Sequence, residues 1–592
     1  MIKFSTIFKT PFKAVPSKTM DNKEIAQVLE EIAELLELKG ENPFKIRAYH
    51  NGARIVEGMS QNVHELVEKG TLCETKGIGE GLAEKITELV KTGTCKYHKE
   101  LKKLLPAGIL GLLLIPGLGP KRAKVLYEKL KIKSIAELEY ACQENRLVAL
   151  EGFGEKSQAK ILEAIKHHNK TKGYFLISQA IEESNRFVRF LKKLKNIIRI
   201  EVAGSLRRHK EIVHDIDILV STKQHAQVHE AFTAYPLVDQ VLAQGETKSS
   251  VILRSGIQAD LRTVTDQEFP YALYYFTGSK EHNVATRTLA KRTGLKISEY
   301  GIFRGKRLIP CKDEADIFKV LGLHYIPPEL RESSGEIEAA KKGELPKLIE
   351  LKDIKGIFHV HSTYSDGVAP LEEMIRRAEE LGYEYVGISD HSRTAVYANG
   401  LSEERLKKQH KEIDRLEKKF KRIRIFRGTE SDILADGSLD YPDRILDSLD
   451  FVIGSIHSRF NMPEREMTKR ICRAMEHPRM TIWGHPTGRL LLGRAGYAID
   501  YDEIFETAAE HGVAIELNAN PHRLDLDWRF CKKPKELGLR LSINPDAHSL
   551  EGLSDVGFGV GIARKGWLEK CDVLNTMSVS EMEKFLESRK KR

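Results

Sequence analysis

The chain of 592 residues is long enough for several domains, each with its own hydrophobic core. Hydrophobic residues make up 41% and charged residues 30%, a composition typical of globular proteins and not of disordered ones. The 95 basic and 85 acidic side chains give a net charge of +10. All of this excess lies in residues 1–340, which favours a polyanionic partner for that part of the chain.

Neither a membrane span nor a disulfide framework is expected. The longest apolar run, around residues 107–119, is shorter than the roughly 20 residues of a membrane span and contains Pro116. Seven scattered cysteines without a C-x-x-C pair predict a reducing, cytoplasmic location and no thiolate zinc site. We expect residues 1–19 to be an extension before a first domain that begins near Met20, with a transit peptide as the alternative.

The predicted elements change along the chain. From residue 22 to about 168, apolar residues recur every three or four positions, which predicts helices joined by glycine turns. Residues 173–323 contain stretches such as IIRIEV and DIDILV that run apolar or alternate as β-strands do. Residues 325–355 carry Pro327, Pro328 and many charges, and we expect a linker there. The rest alternates seven short apolar strands with helical stretches, which predicts a parallel, barrel-like sheet surrounded by helices.

Three segments of the helical region share an apolar residue, a G-x-G turn and a polar helix start. Glycine lets the backbone turn sharply and brings its N–H groups close to a phosphate, and the following helix N-terminus favours an anion. Such contacts read no base edge, so we expect sequence-independent DNA binding, with a purely structural turn as the alternative for any single copy. The glycine pairs are Gly77 and Gly79, Gly117 and Gly119, and Gly152 and Gly154.

These turns resemble the helix–hairpin–helix motifs of DNA repair proteins. The stretch NPFKIRAYHNGARI (residues 42–55) further resembles the N-terminal eight-kilodalton domain of family X DNA polymerases. In that family a lysine after the first hairpin forms a Schiff base with an abasic sugar, and Lys85 occupies the matching position. The resemblance therefore implies 5′-deoxyribose-phosphate lyase activity for Lys85, while a phosphate contact is the alternative role.

A carboxylate cluster is predicted in the middle region. Asp215 and Asp217 lie two residues apart on the predicted strand DIDILV, so both carboxylates project from one face. Two anions so close need a compensating cation or proton, and a pair of divalent cations would suit them. The later strand IQADLRTV offers Asp260 as a third ligand.

The order G-S-x-R-R, D-x-D and a lone Asp resembles the nucleotidyltransferase palm of family X polymerases. The resemblance continues through YYFTGSKEHNVATR and implies template-directed nucleotide addition with Mg²⁺ or Mn²⁺ at the three aspartates. A degenerate palm that only holds DNA is the alternative. Phosphate donors precede the D-x-D motif: Gly204, Ser205 and Arg208. The later stretch matches the family's sugar-binding turn, its incoming-base contact and its template-side contact, which are Tyr275, Phe276 and Gly278, then Asn283, then Arg287.

Nitrogen and oxygen ligands follow six of the seven strands in the C-terminal third. A single strand-end histidine is usually a hydrogen-bonded core residue, but six such strand ends indicate one metal centre at the mouth of the barrel. Ligands without sulfur suit manganese, zinc or iron in a multinuclear site. The sixth strand, VAIELNAN, carries Glu516 and Asn518, which we expect to pack in the barrel or to support the ligands. The nine ligands are His359, His361, Asp366, His391, Glu430, His457, His485, Asp546 and His548.

This ligand set resembles the polymerase-and-histidinol-phosphatase (PHP) domain, which binds up to three metal ions and hydrolyses phosphate esters. A family X palm followed by a PHP domain is the arrangement of the bacterial and archaeal branch of the family. The resemblance implies a base-excision-type repair enzyme that fills short gaps in nicked or gapped duplex DNA with deoxynucleoside triphosphates. It further implies Mn²⁺-dependent (or Zn²⁺- or Fe²⁺-dependent) 3′–5′ trimming, and it suggests abasic-site endonuclease and 3′-phosphatase action. We expect a monomer.

The resemblance implies a multidomain fold. It combines an all-α helix–hairpin–helix region, an α+β palm and thumb, and a distorted (β/α)7 PHP barrel. The expected divisions are an extension, an eight-kilodalton-like domain, a fingers-like region, a palm, a thumb-like subdomain, a linker and the PHP domain, at residues 1–19, 20–100, 101–172, 173–265, 266–324, 325–355 and 356–592.

Two other classes of protein remain open. The PHP domain could hydrolyse a small phosphorylated metabolite beside a vestigial polymerase half, but three hairpins and a basic half would have no use there. A DNA-binding scaffold without activity would have no need of complete ligand sets at two separate sites.

Overall fold

The computed structural model describes residues 20, 22–57, 59, 63–104, 109–115, 118–169 and 173–590. The predicted extension, residues 1–19, and the predicted DNA contact Gly117 lie outside the described residues. The chain divides into two compact units, residues 1–138 and 139–592. Within the described ranges, no helix combines the length and the apolarity that a membrane span requires.

The described part of the first unit is helical. Its first helix is amphipathic, because Ile25, Leu29, Ile32 and Leu36 recur at spacings of three and four and are all fully buried. That face packs on the other helices of the unit around a core that also contains Ile86. The helices are α1 (Asn22–Lys39), α2 (Pro43–Glu57), α3 (Val63–Lys69), α4 (Glu80–Thr92), α5 (Lys96–Leu104), α6 (Ile109–Leu112) and α7 (Pro120–Leu130).

A further helix, α8 (Ile135–Gln143), runs across the boundary between the units, and α9 (Glu155–Asn169) follows in the second unit. The predicted boundaries at residues 100 and 172 differ from the division after Leu138. Since the second unit begins at Glu139, the third glycine turn belongs to it.

The next part of the second unit is a five-stranded mixed sheet with the order β2-β4-β7-β6-β5. Its central pair, β4 and β7, is parallel, and the other neighbours are antiparallel, while β1 pairs separately with β3. The strands are β1 (Phe175–Leu176), β2 (Ile197–Val202), β3 (Ile212–Val213), β4 (Asp215–Thr222), β5 (Val238–Gln244), β6 (Lys248–Leu253) and β7 (Gln258–Val264). The helices are α10 (Ile177–Leu191), α11 (Gly204–Arg207) and α12 (His225–Thr233).

A smaller helical subdomain with a three-stranded antiparallel sheet follows. Ser279 caps its second helix, because the hydroxyl accepts a hydrogen bond from the backbone N–H of His282 at 3.2 Å. The elements are α13 (Phe269–Thr277), α14 (Lys280–Arg292), β8 (Leu295–Ser298), β9 (Gly301–Arg304), β10 (Arg307–Ile309) and α15 (Glu314–Val320).

Residues 325–355, expected to be a linker, are a folded part of the second unit and contain α16 (Glu336–Lys342). Several of their charges, which suggested a solvated segment, are buried in ion pairs, whereas most of the others are exposed. Arg331 is fully buried and lies 2.6 Å from Glu314, and Glu336 lies 2.8 Å from the buried ring of His282. The sequence alone could not distinguish charges that face water from charges that pair inside the fold.

The C-terminal part is the predicted parallel barrel, with seven strands in sequential order. A bridge between Val360 and Ala547 joins the first strand to the segment after the last, so that the barrel is nearly closed. The strands are β11 (Gly356–Val360), β12 (Tyr385–Ile388), β13 (Arg424–Asp432), β14 (Phe451–Ser455), β15 (Ile482–Trp483), β16 (Ala514–Asn518) and β17 (Leu541–Asn544). The helices are α17 (Leu371–Glu380), α18 (Glu403–Lys419), α19 (Asp443–Leu446), α20 (Glu464–Met475), α21 (Tyr501–His511), α22 (Lys532–Glu536), α23 (Val556–Lys565) and α24 (Val579–Lys590).

The mixed sheet and the barrel share one continuous hydrophobic core inside the second unit. Phe187, Phe232 and Val251 from the sheet region and Ile388, Trp483 from the barrel belong to the same buried cluster. Because these large side chains are buried together, the sheet region and the barrel stabilise each other through a common core.

Candidate functional site

The three predicted palm aspartates lie together on two neighbouring strands. Asp217 on β4 stands directly opposite Asp260 on β7, and Asp215 precedes Asp217 by two residues on the same face. Burial, with the charges of Asp215 and Asp260, raises the pKa of Asp217 to about 7. Burial and Asp260 also raise the pKa of Asp215. The cluster therefore carries more negative charge than its surroundings neutralise.

One lysine gives partial compensation. The ammonium of Lys248 lies 2.8 Å from Asp260 Oδ2, and the amide of Gln258 donates to Asp260 Oδ1 at 2.9 Å. Burial raises the pKa of Asp260, but the hydrogen bonds from Lys248 and Gln258 outweigh it and lower that pKa. Arg262 also lowers the pKa of Asp217, yet burial and the neighbouring carboxylates still raise it, so the arrangement fits the divalent ions that the sequence predicts.

The glycine before the D-x-D strand is held against its second aspartate. Gly204 has a φ of +62°, and a Cβ built there would lie 2.0 Å from Asp217 Oδ2. Any side chain at this position would both strain the backbone and displace the carboxylate. Ser205 and Arg208, which follow Gly204, line a cavity of about 730 Å³ together with Asp215. Two of the predicted phosphate donors and one of the predicted metal ligands thus line the same cavity.

The predicted sugar and base contacts lie at the turn between α13 and α14. Asn283 donates from its amide to the carbonyl of Tyr275 at 2.8 Å, while its buried Oδ1 has no hydrogen-bond partner among the described residues. Arg287 Nε donates to the carbonyl of Asn283 at 3.1 Å. The guanidinium carbon of Arg262 lies 4.3 Å from the centre of the Phe276 ring. Arg262 is two residues after Asp260 on β7, so this contact connects the turn to the strand of the third aspartate. A Cβ at Gly278 (φ +71°) would meet Arg208 Nη1 at 3.1 Å.

The nine predicted ligands of the barrel converge, and Glu430 lies at their centre. Its carboxylate is 2.9 Å from His391 Nδ1, 2.8 Å from His485 Nε2, 3.2 Å from His457 Nε2 and 3.3 Å from His359 Nε2. Burial would raise the pKa of Glu430, but the surrounding imidazoles hold it well below its usual range. His361 Nε2 lies 3.7 Å away, and a carboxylate within reach of five imidazoles can share metal ions with them.

The other ligands complete the cluster around Glu430. Asp546 Oδ1 lies 3.4 Å from Nε2 of both His359 and His361. Asp366 lies 3.4 Å from His548 Nε2 and 3.6 Å from His391 Nε2. None of the nine side chains is more than 8% exposed.

The donor atoms of this cluster fit metal ions. Several sets of three or four ligand atoms lie within 4.8 Å of one another. Buried ring nitrogens and a carboxylate oxygen that make no hydrogen bond among the described residues include His359 Nε2, His391 Nε2, His548 Nε2 and Asp366 Oδ1. Buried polar atoms are rarely left without a partner, and cations would supply one here. His359, His485 and Asp546 also adopt left-handed backbone angles, a strain that clusters at functional sites.

Carboxylates behind the ligands orient the imidazoles. Glu516 accepts from His359 Nδ1 at 2.6 Å, so the sixth strand supports a ligand as expected from its position. Asp432 lies 2.6 Å from His457 Nδ1 and was missed by the sequence analysis, although the spacing E-S-D on β13 puts it on the face of Glu430. Such partners fix which ring nitrogen is free to bind a metal.

Three residues from outside the barrel also reach the cluster and were missed. Tyr140 and Glu144 lie at the end of α8 and in the turn after it, and Arg146 follows in that turn. The hydroxyl of Tyr140 donates to Asp546 at 3.4 Å, and Arg146 Nε donates to Asp366 at 3.2 Å. No motif marks these residues, because the barrel strands they meet are far away in sequence.

The described glycine turns each precede a helix directly. Gly79, Gly119 and Gly154 are followed by the first residues of α4, α7 and α9. Gly77 and Gly152 have positive φ, which explains the need for glycine in the turn. A Cβ at Gly79 or Gly154 would meet nothing within 4 Å, so their backbone is open to a ligand.

The predicted lyase residue lies in a small cavity of the first unit. Lys85 on α4 lines a space of about 400 Å³ with Lys45, Tyr49 and Tyr97. Its side chain is about a quarter exposed, and its ammonium lies 3.7 Å from Glu84. A second lysine beside it suits a phosphorylated ligand.

Comparison with known proteins identifies four family models in the chain. The Helix-hairpin-helix domain matches residues 20–95, and the SAM-like Helix-hairpin-helix tandem matches residues 109–167. The DNA polymerase beta thumb matches residues 272–332, and the PHP domain matches residues 358–520.

The chain is also similar to individual proteins. It is 42% identical over 571 residues to the DNA polymerase/3′-5′ exonuclease PolX of Bacillus subtilis (strain 168), which covers 96% of this chain and 99% of that protein. It is 29% identical over 160 residues to the Repair DNA polymerase X of an African swine fever virus isolate, covering 26% of this chain and 89% of the viral protein. A probable phosphatase of Caldanaerobacter subterraneus is 30% identical over 184 residues, 29% of this chain and 70% of the phosphatase.

Proposed function

The chain belongs to the family X DNA polymerases that carry a C-terminal PHP domain, and we propose that its two sites divide gap repair between strand extension and end trimming. It is a DNA polymerase with 3′–5′ exonuclease activity, it depends on divalent metal ions, and it binds DNA and deoxynucleoside triphosphates. We assign nucleotide addition to the palm aspartates and the removal of 3′ nucleotides to the PHP cluster.

The main support for nucleotide addition at the palm is the pairing of β4 with β7. Asp217 faces Asp260 across β4 and β7, with Asp215 on the same face, and the raised pKa of Asp217 reports a cluster that lacks positive charge. We propose that these three residues hold Mg²⁺ or Mn²⁺. Ions held there would supply the positive charge that activates a 3′ hydroxyl and offsets the charge of the triphosphate.

The chain's own residues would bind and orient the nucleotide. Ser205 and Arg208 share the cavity with Asp215 and can bind the triphosphate oxygens, since a guanidinium can make two parallel hydrogen bonds to phosphate. The unpaired Oδ1 of Asn283 suits a contact to the incoming base. Tyr275, Phe276 and Gly278 would form the turn under the sugar, with Arg287 on the template side.

We propose that the nine PHP ligands hold Mn²⁺, with Zn²⁺ or Fe²⁺ as the other candidates, because nitrogen and oxygen donors without sulfur suit these ions. Ions held by these residues would supply an activated water and positive charge for the departing oxygen of a phosphate ester. Glu516 and Asp432 keep His359 and His457 in the tautomer that ligation needs. A 3′-terminal nucleotide is the substrate that we assign to this site.

The remaining proposals concern DNA and cell location. We propose that the glycine turns hold the backbone of nicked or gapped duplex DNA on both sides of the gap, since a Cβ at Gly79, Gly119 or Gly154 would meet nothing within 4 Å and a helix starts directly after each. All seven cysteines are free, which supports a cytoplasmic protein, and we propose that it acts as a monomer.

The lyase proposal for Lys85 has a direct test. The amine would form an imine with the aldehyde of an abasic sugar and release water, and borohydride would reduce that imine to a stable cross-link. We expect wild type and Lys91→Ala to be trapped on DNA with a 5′-deoxyribose phosphate, and Lys85→Ala to give no trapped product. Lys91 is the control because it is an exposed lysine on the same helix. Equal trapping of Lys85→Ala, or none with wild type, would remove the proposal.

A phosphatase acting on a small phosphorylated metabolite is the second candidate, because a probable phosphatase shares 30% identity with part of the chain. The intact palm cluster speaks against it. One assay separates the two functions: purified full-length protein with a one-nucleotide-gapped, 5′-phosphorylated duplex and Mn²⁺. Extension of the 3′ end with nucleotides and its shortening without them support the proposal, whereas phosphate release from small esters alone supports the phosphatase.

A further inference from the structure

The turn after α8 places a carboxylate against the PHP cluster from outside the barrel. Glu144 is only 2% exposed, and its Oε1 lies 3.6 Å from His548 Nε2. Ligand atoms of Glu144, Asp546 and His548 lie within 4.8 Å of one another. Oε1 makes no hydrogen bond to any described residue. A buried carboxylate oxygen without a donor is costly unless a cation is close.

Two neighbours of Glu144 hold this turn in place. Arg146 forms an ion pair with Glu144 Oε2 at 2.5 Å and donates to Asp366 at 3.2 Å. Neither oxygen of Glu144 accepts a hydrogen bond from a described residue, and Oε1 is the one near His548. Tyr140 donates to Asp546 and accepts from Arg523 Nε at 3.1 Å. Arg146 and Arg523 hold two of the predicted ligands, but neither donates to Glu144 Oε1.

The distances fit shared coordination. Ligand atoms bound to one ion at about 2.1 Å stand about 3.0–3.4 Å apart in octahedral or tetrahedral geometry. The 3.6 Å between Glu144 Oε1 and His548 Nε2 is close to this range, as are the 3.4 Å contacts among the nine ligands of the barrel.

We propose that Glu144 is a tenth ligand of the PHP cluster and binds a divalent cation together with Asp546 and His548. The proposal rests on the assignment of the nine ligands to metal ions. Glu144 belongs to the same unit as the glycine turn at Gly152 and Gly154, which we propose contacts DNA.

The test measures Mn²⁺ binding to full-length protein through the electron paramagnetic resonance signal of free Mn²⁺. All variants carry Asp217→Ala, so that palm ions contribute little. We expect Glu144→Gln to weaken one class of sites about 10- to 100-fold, the usual effect of losing a supporting or ligating group. Glu151→Gln, an exposed glutamate nearby, should bind Mn²⁺ as its parent does.

A further variant separates the two proposals. His359→Ala with His361→Ala should reduce the number of bound Mn²⁺ ions. If it does and Glu144→Gln binds as the parent, Glu144 is not a ligand; if neither changes binding, the metal assignment of the whole cluster fails. Should Glu144→Gln not fold, Glu144→Asp keeps the negative charge on a side chain that is one methylene shorter and so moves the carboxylate away from the cluster. An unchanged Mn²⁺ affinity in that variant would also overturn the proposal.

A second, independent observation concerns the nucleotide site. Lys565, the last residue of α23 in the PHP domain, has a fully buried side chain. Its ammonium lies 2.5 Å from Glu332 Oε1 and donates to the carbonyl of Arg208 at 3.0 Å. Glu332 Oε1 also accepts from Arg208 Nε at 3.1 Å, and Arg208 Nη1 donates to the carbonyl of Thr277 at 2.5 Å.

This network sets the orientation of Arg208. With Nε and Nη1 held, the guanidinium has one orientation, and the cavity that it lines also contains Ser205 and Asp215. Without Lys565, the buried Glu332 would keep its hydrogen bond from Arg208 and would draw the guanidinium toward itself, with Lys210 as its other charged neighbour. Buried networks of this kind are rigid only while every member is paired.

We infer that Lys565 is a positioning residue for the polymerase: it holds Glu332 so that Arg208 can bind the triphosphate. The inference rests on the assignment of Arg208 to the nucleotide. It gives the PHP domain a part in nucleotide binding that does not depend on its own hydrolytic site.

Steady-state gap filling tests this role. We expect Lys565→Met to raise the KM for the nucleotide about tenfold, the scale of one charge-assisted hydrogen bond, with little change in kcat or in exonuclease rate. Lys565→Arg should restore part of the loss. Lys535→Met removes a partly exposed lysine that pairs with Glu569 and Asp572, and it should leave KM unchanged.

Different results would contradict the positioning role of Lys565 and the assignment of Arg208 to the triphosphate. An unchanged KM in Lys565→Met, or an equal loss of kcat, nuclease activity and thermal stability, would overturn the positioning role. If Arg208→Ala leaves the nucleotide KM unchanged, the assignment of Arg208 to the triphosphate fails instead.

Discussion

Replacing Asp217 by alanine is expected to reduce nucleotide addition on a gapped duplex by about 10³-fold or more, because the cations would lose a ligand on which charge stabilisation depends. Asp217 faces both other carboxylates of the cluster, so the loss disturbs the whole site. Mn²⁺-dependent shortening of the same DNA should persist. Primer extension on a one-nucleotide gap measures the first activity, and loss of label from the 3′ end measures the second.

Asp239→Ala is the matched control for this change. Asp239 lies on β5 at the edge of the same sheet and is exposed, so its loss should leave synthesis within about twofold of wild type. Synthesis by Asp217→Ala at the wild-type rate would contradict the palm assignment. Loss of both activities would indicate a folding defect, which the thermal transition would reveal.

The double change His359→Ala and His361→Ala is expected to abolish 3′–5′ trimming and to leave gap filling intact. These histidines contact Asp546, and His359 also contacts the central Glu430. Their removal takes two imidazoles from a cluster of buried carboxylates, so we expect weaker Mn²⁺ binding and a rate loss of at least about 10³-fold. Both activities are read from one gapped substrate with Mn²⁺, with and without nucleotides.

His477→Ala provides the control, since His477 belongs to the same barrel, is partly exposed and pairs with Asp443. It should trim DNA like wild type. Undiminished trimming by the double variant would refute the PHP assignment. Because retained synthesis reports a folded second unit, a fall in trimming alone cannot come from global unfolding.

Local patterns were sufficient for the positions of the ligands. Asp215 and Asp217 share a face because side chains alternate along a strand, and the structure places them on β4 as predicted. The strand-end histidines converge because parallel barrel strands bring their carboxyl ends to one rim. The glycine turns before α4, α7 and α9 follow from glycine's backbone freedom and the helix starts after them.

Contacts between distant segments could not be read in this way. Residues 325–355 were expected to be a linker because prolines and charges favour solvent exposure, yet Arg331 is fully buried beside Glu314. Asp432 could have been recognised from its spacing to Glu430, whereas no pattern marked Glu144 or Lys565. Burial and pairing depend on what another part of the chain supplies, and sequence neighbours carry no information about it.

The amino-acid sequence by itself therefore predicted the kinds of domain and the two sets of candidate metal-ligating residues, since these depend on short-range periodicity and residue chemistry. The class of reaction followed from the resemblance of its motifs to family X polymerases and the PHP domain. Only the tertiary structure decided which charges are buried, that the palm and the barrel share one core, and that α8 and α23 bring Glu144 and Lys565 to sites formed by other segments. These contacts form between elements far apart in the chain. Which side chains meet depends on the complementary shape and charge of both surfaces, and the local sequence of either one does not specify it.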